Sequence, residues 1–285
     1  MATTTTATAA AVGRATDGVR LDLPRSAGRV SFAGALRSEF TKIWSVRSTY
    51  WTLLAMFVVV VGFSALASYG AATHPERGPN FDPTQQSLAG LYIGQLIIGV
   101  LGVLVISSEY STGMIRTTLT TNPRRGVMIA AKGLVFTVVA LVASAVTAFA
   151  AFFLGQAIMS SHDISTTIGS PDVLRAVIGG ALFLTACGVL AFGLGLLLRH
   201  SAAGIATMVG MLFVVTILVN FLPQTWQGDV DKWVPALAGG QLWMVKPPPP
   251  DSTPMFGPWP SFAVLCGWAA LAVVSAVILF RKRDA

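Results

Sequence analysis

Six long apolar stretches run through this chain, at residues 50–69, 87–107, 134–159, 174–198, 202–222 and 262–280, and none carries a charged residue in its middle. A helix rises ~1.5 Å per residue, so about 20 apolar residues cross a ~30 Å hydrocarbon core. Inside a bilayer only helices and closed barrels satisfy their backbone groups. Runs of this length and composition therefore predict an all-α, polytopic membrane protein with six transmembrane helices. Only 11% of the 285 residues are charged and 54% are hydrophobic, against about 25% charged in a soluble domain.

The missing midplane charge narrows function as well as fold. Ion-coupled carriers and intramembrane enzymes keep ionisable residues at membrane depth, where protons, ions and chemistry need them. A bundle without them points to transport driven by another protein, if it transports at all.

The excess of positive charge, +7, is explained by topology and calls for no nucleic acid. With the N-terminus in the cytoplasm and six spans alternating, fifteen of the nineteen Lys and Arg residues fall on the cytoplasmic side. Only Arg77, Arg175, Lys232 and Lys246 fall outside, together with seven of the twelve acids. The positive-inside rule then places both termini in the cytoplasm. Residues 1–30 are rich in Thr, Ala and Gly without periodicity and read as a disordered cytoplasmic tail. They lack the basic start and apolar run of a signal peptide. The six-span domain occupies 31–285. Cys187 and Cys266 both fall in spans and imply no disulfide framework.

Residues 31–48, SFAGALRSEFTKIWSVRS, form an amphipathic prelude to the first span. Phe32, Leu36, Phe40, Ile43 and Trp44 recur at roughly helical spacing, with Arg37, Glu39, Lys42 and Arg47 on the other face. Such a helix, carrying Glu39, Lys42 and Trp44, is expected to lie in the cytoplasmic interface, with Trp44, Tyr50 and Trp51 at headgroup level. The third apolar run begins at Val127, longer than a bilayer needs, and so starts in the cytosol. The fourth and fifth spans, separated by Arg199, His200 and Ser201, predict a tight hairpin.

The external segment 223–260 holds Trp226, Trp233, Trp243 and Trp259. Its stretch 235–246 is apolar but too short to span, and reads as interfacial or re-entrant. Residues 247–250 are four prolines, a stiff polyproline II spacer. The segment is expected to cap the outer end of a pathway, with its tryptophans at the outer interface and Trp233 and Trp243 as an external gate. The pairs Gly90/Gly94, Ala191/Gly195 and Ala206/Gly210 have the spacing that lets helices approach closely.

Groups able to do chemistry are few. The sequence has no phosphate-loop motif and no His-Glu-x-x-His or Cys-x-x-Cys. His74, His162 and His200 lie in three separate loops, so neither a catalytic nor a metal site is expected. Gln95, Gln156 and Asn220 are the side-chain amides within spans, each expected to bond to a neighbouring helix rather than to a substrate, though together they could line a path. Residues 237–241, Leu-Ala-Gly-Gly-Gln, mimic an ATPase signature loop. They stand without a phosphate loop or an acidic Walker-B partner, and read as coincidence.

Residues 107–133, SSEYSTGMIRTTLTTNPRRGVMIAAKG, form the longest cytoplasmic segment between spans, with a turn at Thr121-Asn122-Pro123. Glu109-Tyr110, Gly113, Ile115-Arg116, Thr118-Leu119, Pro123-Arg124-Arg125 and Lys132 resemble the cytoplasmic loop of ABC transporter permeases of the type-2 exporter class. Leu36 to Glu39 with Lys42, then Arg47 to Thr49, resemble the approach to their first span. The last span closing on Arg281-Lys282-Arg283 fits too. The resemblance covers about residues 33–285. It implies a permease subunit of a bacterial plasma-membrane exporter that works beside a second permease copy or paralogue, above a pair of cytoplasmic ATPase subunits that bind the ATP-Mg. This chain itself would carry no cofactor and no hydrolytic activity. The resemblance makes the segment between spans two and three a coupling helix. That helix would run around Gly113 to Leu119; Met114, Ile115 and Leu119 would give the apolar contact, Arg116, Arg124 and Arg125 would meet acidic partners, and Glu109 would cap the helix or pair with Arg116. The alternatives are an ATPase-independent channel or carrier and an accessory membrane protein. The substrate, and whether two permeases are identical, are not legible in these residues.

Overall fold

The computed structural model describes residues 32–74, 81–111, 125–246 and 255–283. The tail, the stretch 112–124 that holds the expected coupling helix around Gly113 to Leu119, and the proline run at 247–250 lie outside the described residues. What is described is helical, with no strand among it. Six helices are long and apolar enough to cross a membrane: Arg47–Thr73, Pro83–Ser108, Gly126–Ser160, Val173–Leu198, Ser201–Val219 and Pro258–Leu279. Each contains one of the stretches read from the sequence, apart from a few residues at the ends of the fifth and sixth.

The chain opens with α1 (Phe32–Ser45) and continues into α2 (Arg47–Thr73). Helix α3 (Pro83–Ser87) is a single turn started by Asp82, whose carboxylate accepts the Thr84 amide at 2.8 Å, with Pro83 at the first position. Next come α4 (Leu91–Ser111), α5 (Arg125–Ser160) and α6 (Val173–Leu198). The 36 residues of α5 measure about 54 Å, well beyond a ~30 Å core. That is the overlong third run seen in the sequence.

At the α6 end, Arg199 adopts a left-handed conformation (φ 55°) and its amide bonds back to the Gly195 carbonyl. His200 follows as an N-cap, its ring nitrogen 3.4 Å from the Ala203 amide. The expected tight hairpin is therefore closed by one C-cap and one N-cap back to back.

The fifth span is not a uniform α-helix. It begins as α7 (Ser201–Val209), widens to a π turn at Gly210–Val214, and resumes as α8 (Val215–Val219). Then come α9 (Gln224–Asp231), α10 (Pro235–Gly240), a 3-10 turn at Gln241–Trp243, and α11 (Pro258–Arg283). Arg37, Lys42, Arg47, Lys132 and Arg199 gather at one end of the spans, here the basic end. Residues 223–246 and 255–260 lie at the other, the tryptophan end.

Helix α6 is the centre of the bundle, packed by α4, α5, α7 and α11. Its glycines, Gly179, Gly180, Gly188, Gly193 and Gly195, leave openings that neighbouring elements fill, and α4 takes one of them. A Cβ on Gly102 would run into the Gly188 carbonyl, so only glycine allows this crossing. Helix α2 buries a narrow stripe, Met56, Val60, Ser64, Ser68 and Ala72, while its other faces are exposed and suit lipid. Of the three small-residue pairs, Gly90/Gly94 meets Val60 and Ala191/Gly195 meets α4, whereas nothing stands within 4 Å of a Cβ at Gly210.

Candidate functional site

At the basic end, α1 lies against α5. The residues it buries are Ala35, Glu39 and Ile43, one per helical turn. This corrects the sequence expectation for Glu39, which is not on a solvated polar face. Its carboxylate accepts from the Lys132 ammonium at 2.5 Å, with side-chain exposures of 7% and 3%. Lys132 is likewise no loop cation serving topology alone: it is held inside the third membrane-length helix. The physical reason is that α1 packs through a small-residue face, and a buried carboxylate on that face needs an opposite charge. Phe32 and Phe40 of the apolar stripe are exposed, the position that residues facing a membrane would take.

Beside this pair is a cavity of about 260 Å³ among α1, α2, α4 and α5, lined by both Lys42 and Lys132. A second, almost wholly apolar groove of about 270 Å³ adjoins it between α1, α2 and α5, sharing Ile43 and Thr49. Tyr110, near the end of α4, sits beneath the Arg199 guanidinium at 5.5 Å from the ring centroid.

The proposed coupling residues Gly113, Met114, Ile115, Arg116, Leu119 and Arg124 lie outside the described residues. Glu109 is within the last turn of α4, and Arg125 opens α5. Trp44 is within α1. What the structure adds is the setting: the segment joins the basic ends of α4 and α5, and α5 is the helix tied to α1 through Lys132.

At the tryptophan end the sequence reading of the aromatic residues needs correction. Trp243 is fully buried, edge-on to Tyr92 at 5.0 Å, with Phe183 6.5 Å away. It is a core plug where an interfacial belt residue was expected, because α10 folds back into the bundle against α6 and α11. Trp233 is exposed, stacks edge-on to Phe256 at 5.8 Å, and its carbonyl accepts from Trp268 Nε1 at 2.9 Å. Trp226 and Trp259 are exposed as expected of interface residues.

Arg175 and Gln156 hold this end together; the sequence reading expected a bond to a neighbouring helix from Gln156 but gave Arg175 no such role. Arg175 donates to the carbonyls of Leu242 (2.8 Å) and Met244 (3.0 Å) and to Asp172 (3.0 Å). It thereby fastens the 3-10 turn to the start of α6. Gln156 donates to the Pro83 carbonyl (3.1 Å) and the Ser87 hydroxyl (3.0 Å) and accepts the Thr166 amide (2.7 Å). It links α5 to α3 and to the loop before α6. The signal for Arg175 was its place one residue inside an otherwise apolar run. Gln95 donates only within its own helix, to Tyr92, and its carbonyl oxygen is buried without a partner. Asn220 bonds back to Thr216 in the same way but is exposed.

The ATPase-like run at 237–241 has a packing explanation. It forms most of α10, and a Cβ on Gly239 would meet Leu265 at 2.5 Å and Phe183 at 3.0 Å. Cys187 is buried and Cys266 exposed, both unpaired. Among the described residues no cluster of His, Cys, Asp or Glu could hold a metal.

Six apolar helices, a buried ion pair at one end and a folded-in tryptophan-rich segment at the other define a multi-pass α-helical membrane protein. A family model described as ABC-2 family transporter protein matches residues 35–220, from α1 through the fifth span. The chain belongs to that family. None of the curated proteins matches it.

Proposed function

We propose that this chain is the membrane-spanning permease subunit of an ATP-driven exporter, with its basic end in the cytoplasm. The carrying observation is the family match over residues 35–220, which takes in α1, five spans and the basic segment between α4 and α5. ATP-Mg is bound and hydrolysed by a separate pair of cytoplasmic ATPase subunits, and a second permease copy or paralogue completes the pathway.

The geometry supports a route for coupling. In this reading the loop around Gly113 to Leu119 rests on the ATPase, with Met114, Ile115 and Leu119 as apolar contact and Arg116, Arg124 and Arg125 facing acidic groups. Any displacement of that segment is delivered to the end of α4 and the start of α5. Because Lys132 of α5 is fixed to Glu39 of α1, α1 moves with α5. At the other end the external segment caps the pathway, with exposed Trp233 as its mobile aromatic contact and buried Trp243 as its pivot.

The test is export and ATPase co-purification from cells carrying Arg116→Glu, Glu109→Arg and the double swap. Like-charge juxtaposition at an interface costs several kcal/mol. Each single variant is expected to insert normally but lose ATPase binding or uncouple hydrolysis from export. Recovery in the swap means Glu109 and Arg116 pair with each other. Wild-type export by both singles would reduce the segment to a passive connector. ATP hydrolysis by the pure chain alone would overturn the assignment of the energy source to a partner.

A further inference from the structure

The fifth span changes character midway. Its first half, α7, is seated against α4. A Cβ on Gly204 would meet Val103 at 2.7 Å, one on Gly99 would meet the Met208 sulfur at 2.7 Å, and Met208 is fully buried. Its second half, α8, is packed chiefly by its own neighbours in the chain, the π turn and α9. Leu218 is 58% exposed, and Phe221 just beyond is 81% exposed. Between the halves the Val215 amide reaches back five residues to the Gly210 carbonyl, so the turn holds one residue more than an α-helix would. Gly210 opens that turn, and among the described residues nothing stands within 4 Å of a Cβ there.

Helix α4 is left uncovered at the same level. The contacts of Val103 with Gly204 and of Gly99 with Met208 make the two helices antiparallel and set their register. Carried on along the same face of each helix, that register puts Gln95 level with Leu212 and Tyr92 level with Val215. Gln95 and Leu212 are buried, whereas Tyr92 and Val215 are both exposed. The close contact therefore ends at the π turn.

We infer that the π turn is a hinge, and that α8 is a strap that swings about Gly210 to close over Tyr92 of α4. The anchored α7 is the fixed side of the hinge. Glycine gives the pivot its backbone freedom, and a π turn is an established point of helix bending. Thr216 donates its hydroxyl to the Leu212 carbonyl at 3.2 Å, which keeps that carbonyl bonded while the turn bends. In a bilayer the apolar side chains of the open strap lose little, because lipid tails are as apolar as they are. The open and closed positions are therefore close in energy, which is the condition for a working hinge. The strap runs on through α9 to α10 and the buried Trp243, so its swing pulls on the segment at the tryptophan end. The inference concerns the motion of this chain in a bilayer and holds whether or not an ATPase drives it.

The experiment is double electron–electron resonance on the purified full chain in lipid nanodiscs, with unlabelled chain in excess so that only distances within one chain are read. Cys266→Ser removes the exposed thiol, and Cys187 is buried. One pair of spin labels, at Leu66 and Leu218, spans from α2 to the strap. A second pair, at Leu54 and Ala203, spans from α2 to the anchored half. All four positions are exposed. The strap pair is expected to give a distance distribution about twice as wide as the anchored pair, extending to shorter distances. Gly210→Ala, whose methyl has open space, is expected to narrow it. Deletion of Val214, which takes the extra residue out of the turn, is expected to bring it to the width of the anchored pair. Circular dichroism melts check that each variant is folded, and Gly210→Ala carries the test if the deletion variant is not. A strap pair as narrow as the anchored pair would make the π turn a fixed kink and overturn the hinge. A wide distribution that neither folded variant narrows would place the freedom outside the turn, and overturn it equally.

Discussion

The two ends of this bundle fasten peripheral pieces to the same central helices by opposite means. At the basic end one ion pair, Lys132 with Glu39, ties α1 to α5, and both side chains are almost completely buried. At the tryptophan end the ties are spread over several groups. Arg175 reaches two backbone carbonyls and the half-exposed Asp172, and Gln156 makes three neutral hydrogen bonds. The difference is one of risk. A buried pair gains little over an apolar contact while intact, but removing one partner strands a charge away from water. A set of neutral or partly wet hydrogen bonds loses only its own members. The basic end should therefore respond to single mutations in an all-or-none way and the tryptophan end by degrees.

The sharpest way to break this contrast is at Lys132. Lys132→Ala or Glu39→Ala should destabilise the folded chain by about 3–5 kcal/mol, read as a shift in the denaturation midpoint in detergent. Replacing both, as Glu39→Leu with Lys132→Met, should recover most of the loss. Single variants costing as little as a surface pair, about 0–1 kcal/mol, would show that water reaches the site.

A smaller effect is expected at Arg175. Its carbonyl bonds are charge-assisted, each worth about 1.5–3 kcal/mol, but its side chain is 18% exposed and water can replace part of them. Arg175→Ala should cost about 2 kcal/mol and speed hydrogen exchange across residues 241–246. Unchanged exchange there would mean that Trp243 packing alone holds the turn.

Gln156→Leu should cost less again, about 1 kcal/mol, since hydrogen bonds between membrane helices average below that figure. Its signature would be local, a faster-exchanging Thr166 amide. The smallest effect belongs to Asp229, fully exposed on α9. The hydrogen bond from Lys232, with its charge, holds this carboxyl below the usual carboxylate range. A depressed value means that any stabilisation is present above the ordinary carboxylate pKa and is lost as pH falls through the lowered one. Solvent screens it at this position. Asp229→Asn should leave the midpoint unchanged at neutral pH, and a measurable loss would give this end an electrostatic tie of its own.

Much of this was legible in one dimension. The number of spans, their approximate bounds, the long α5 and the tight turn at Arg199 follow from the length of apolar runs and from what interrupts them. They are local properties, set by the requirement that every backbone group in a bilayer be bonded within its own helix. The amphipathic α1 was legible as a helix but not in its facing. Periodicity placed Glu39 with Arg37 and Lys42 because those residues share polarity. Which face is buried depends on α5, whose Lys132 is 93 residues further along the chain. Trp243 was misplaced for a similar reason: a tryptophan beside a short apolar piece suits an interface until α10 folds inward.

The sequence by itself determined that this chain crosses a membrane six times with its basic residues gathered at one end, and that it carries neither a phosphate-loop motif nor charge at the centre of its spans. Those conclusions need only composition and spacing, because the bilayer is a uniform solvent that acts on each segment alone. Only the tertiary structure decided that α6 is the hub, that Arg175 and Gln156 are the ties of one end, and that Glu39 and Lys132 form the bolt of the other. Each of these depends on which helix faces which, and helix contacts within a membrane are chosen by close packing and paired polar groups, for which apolar runs carry almost no code.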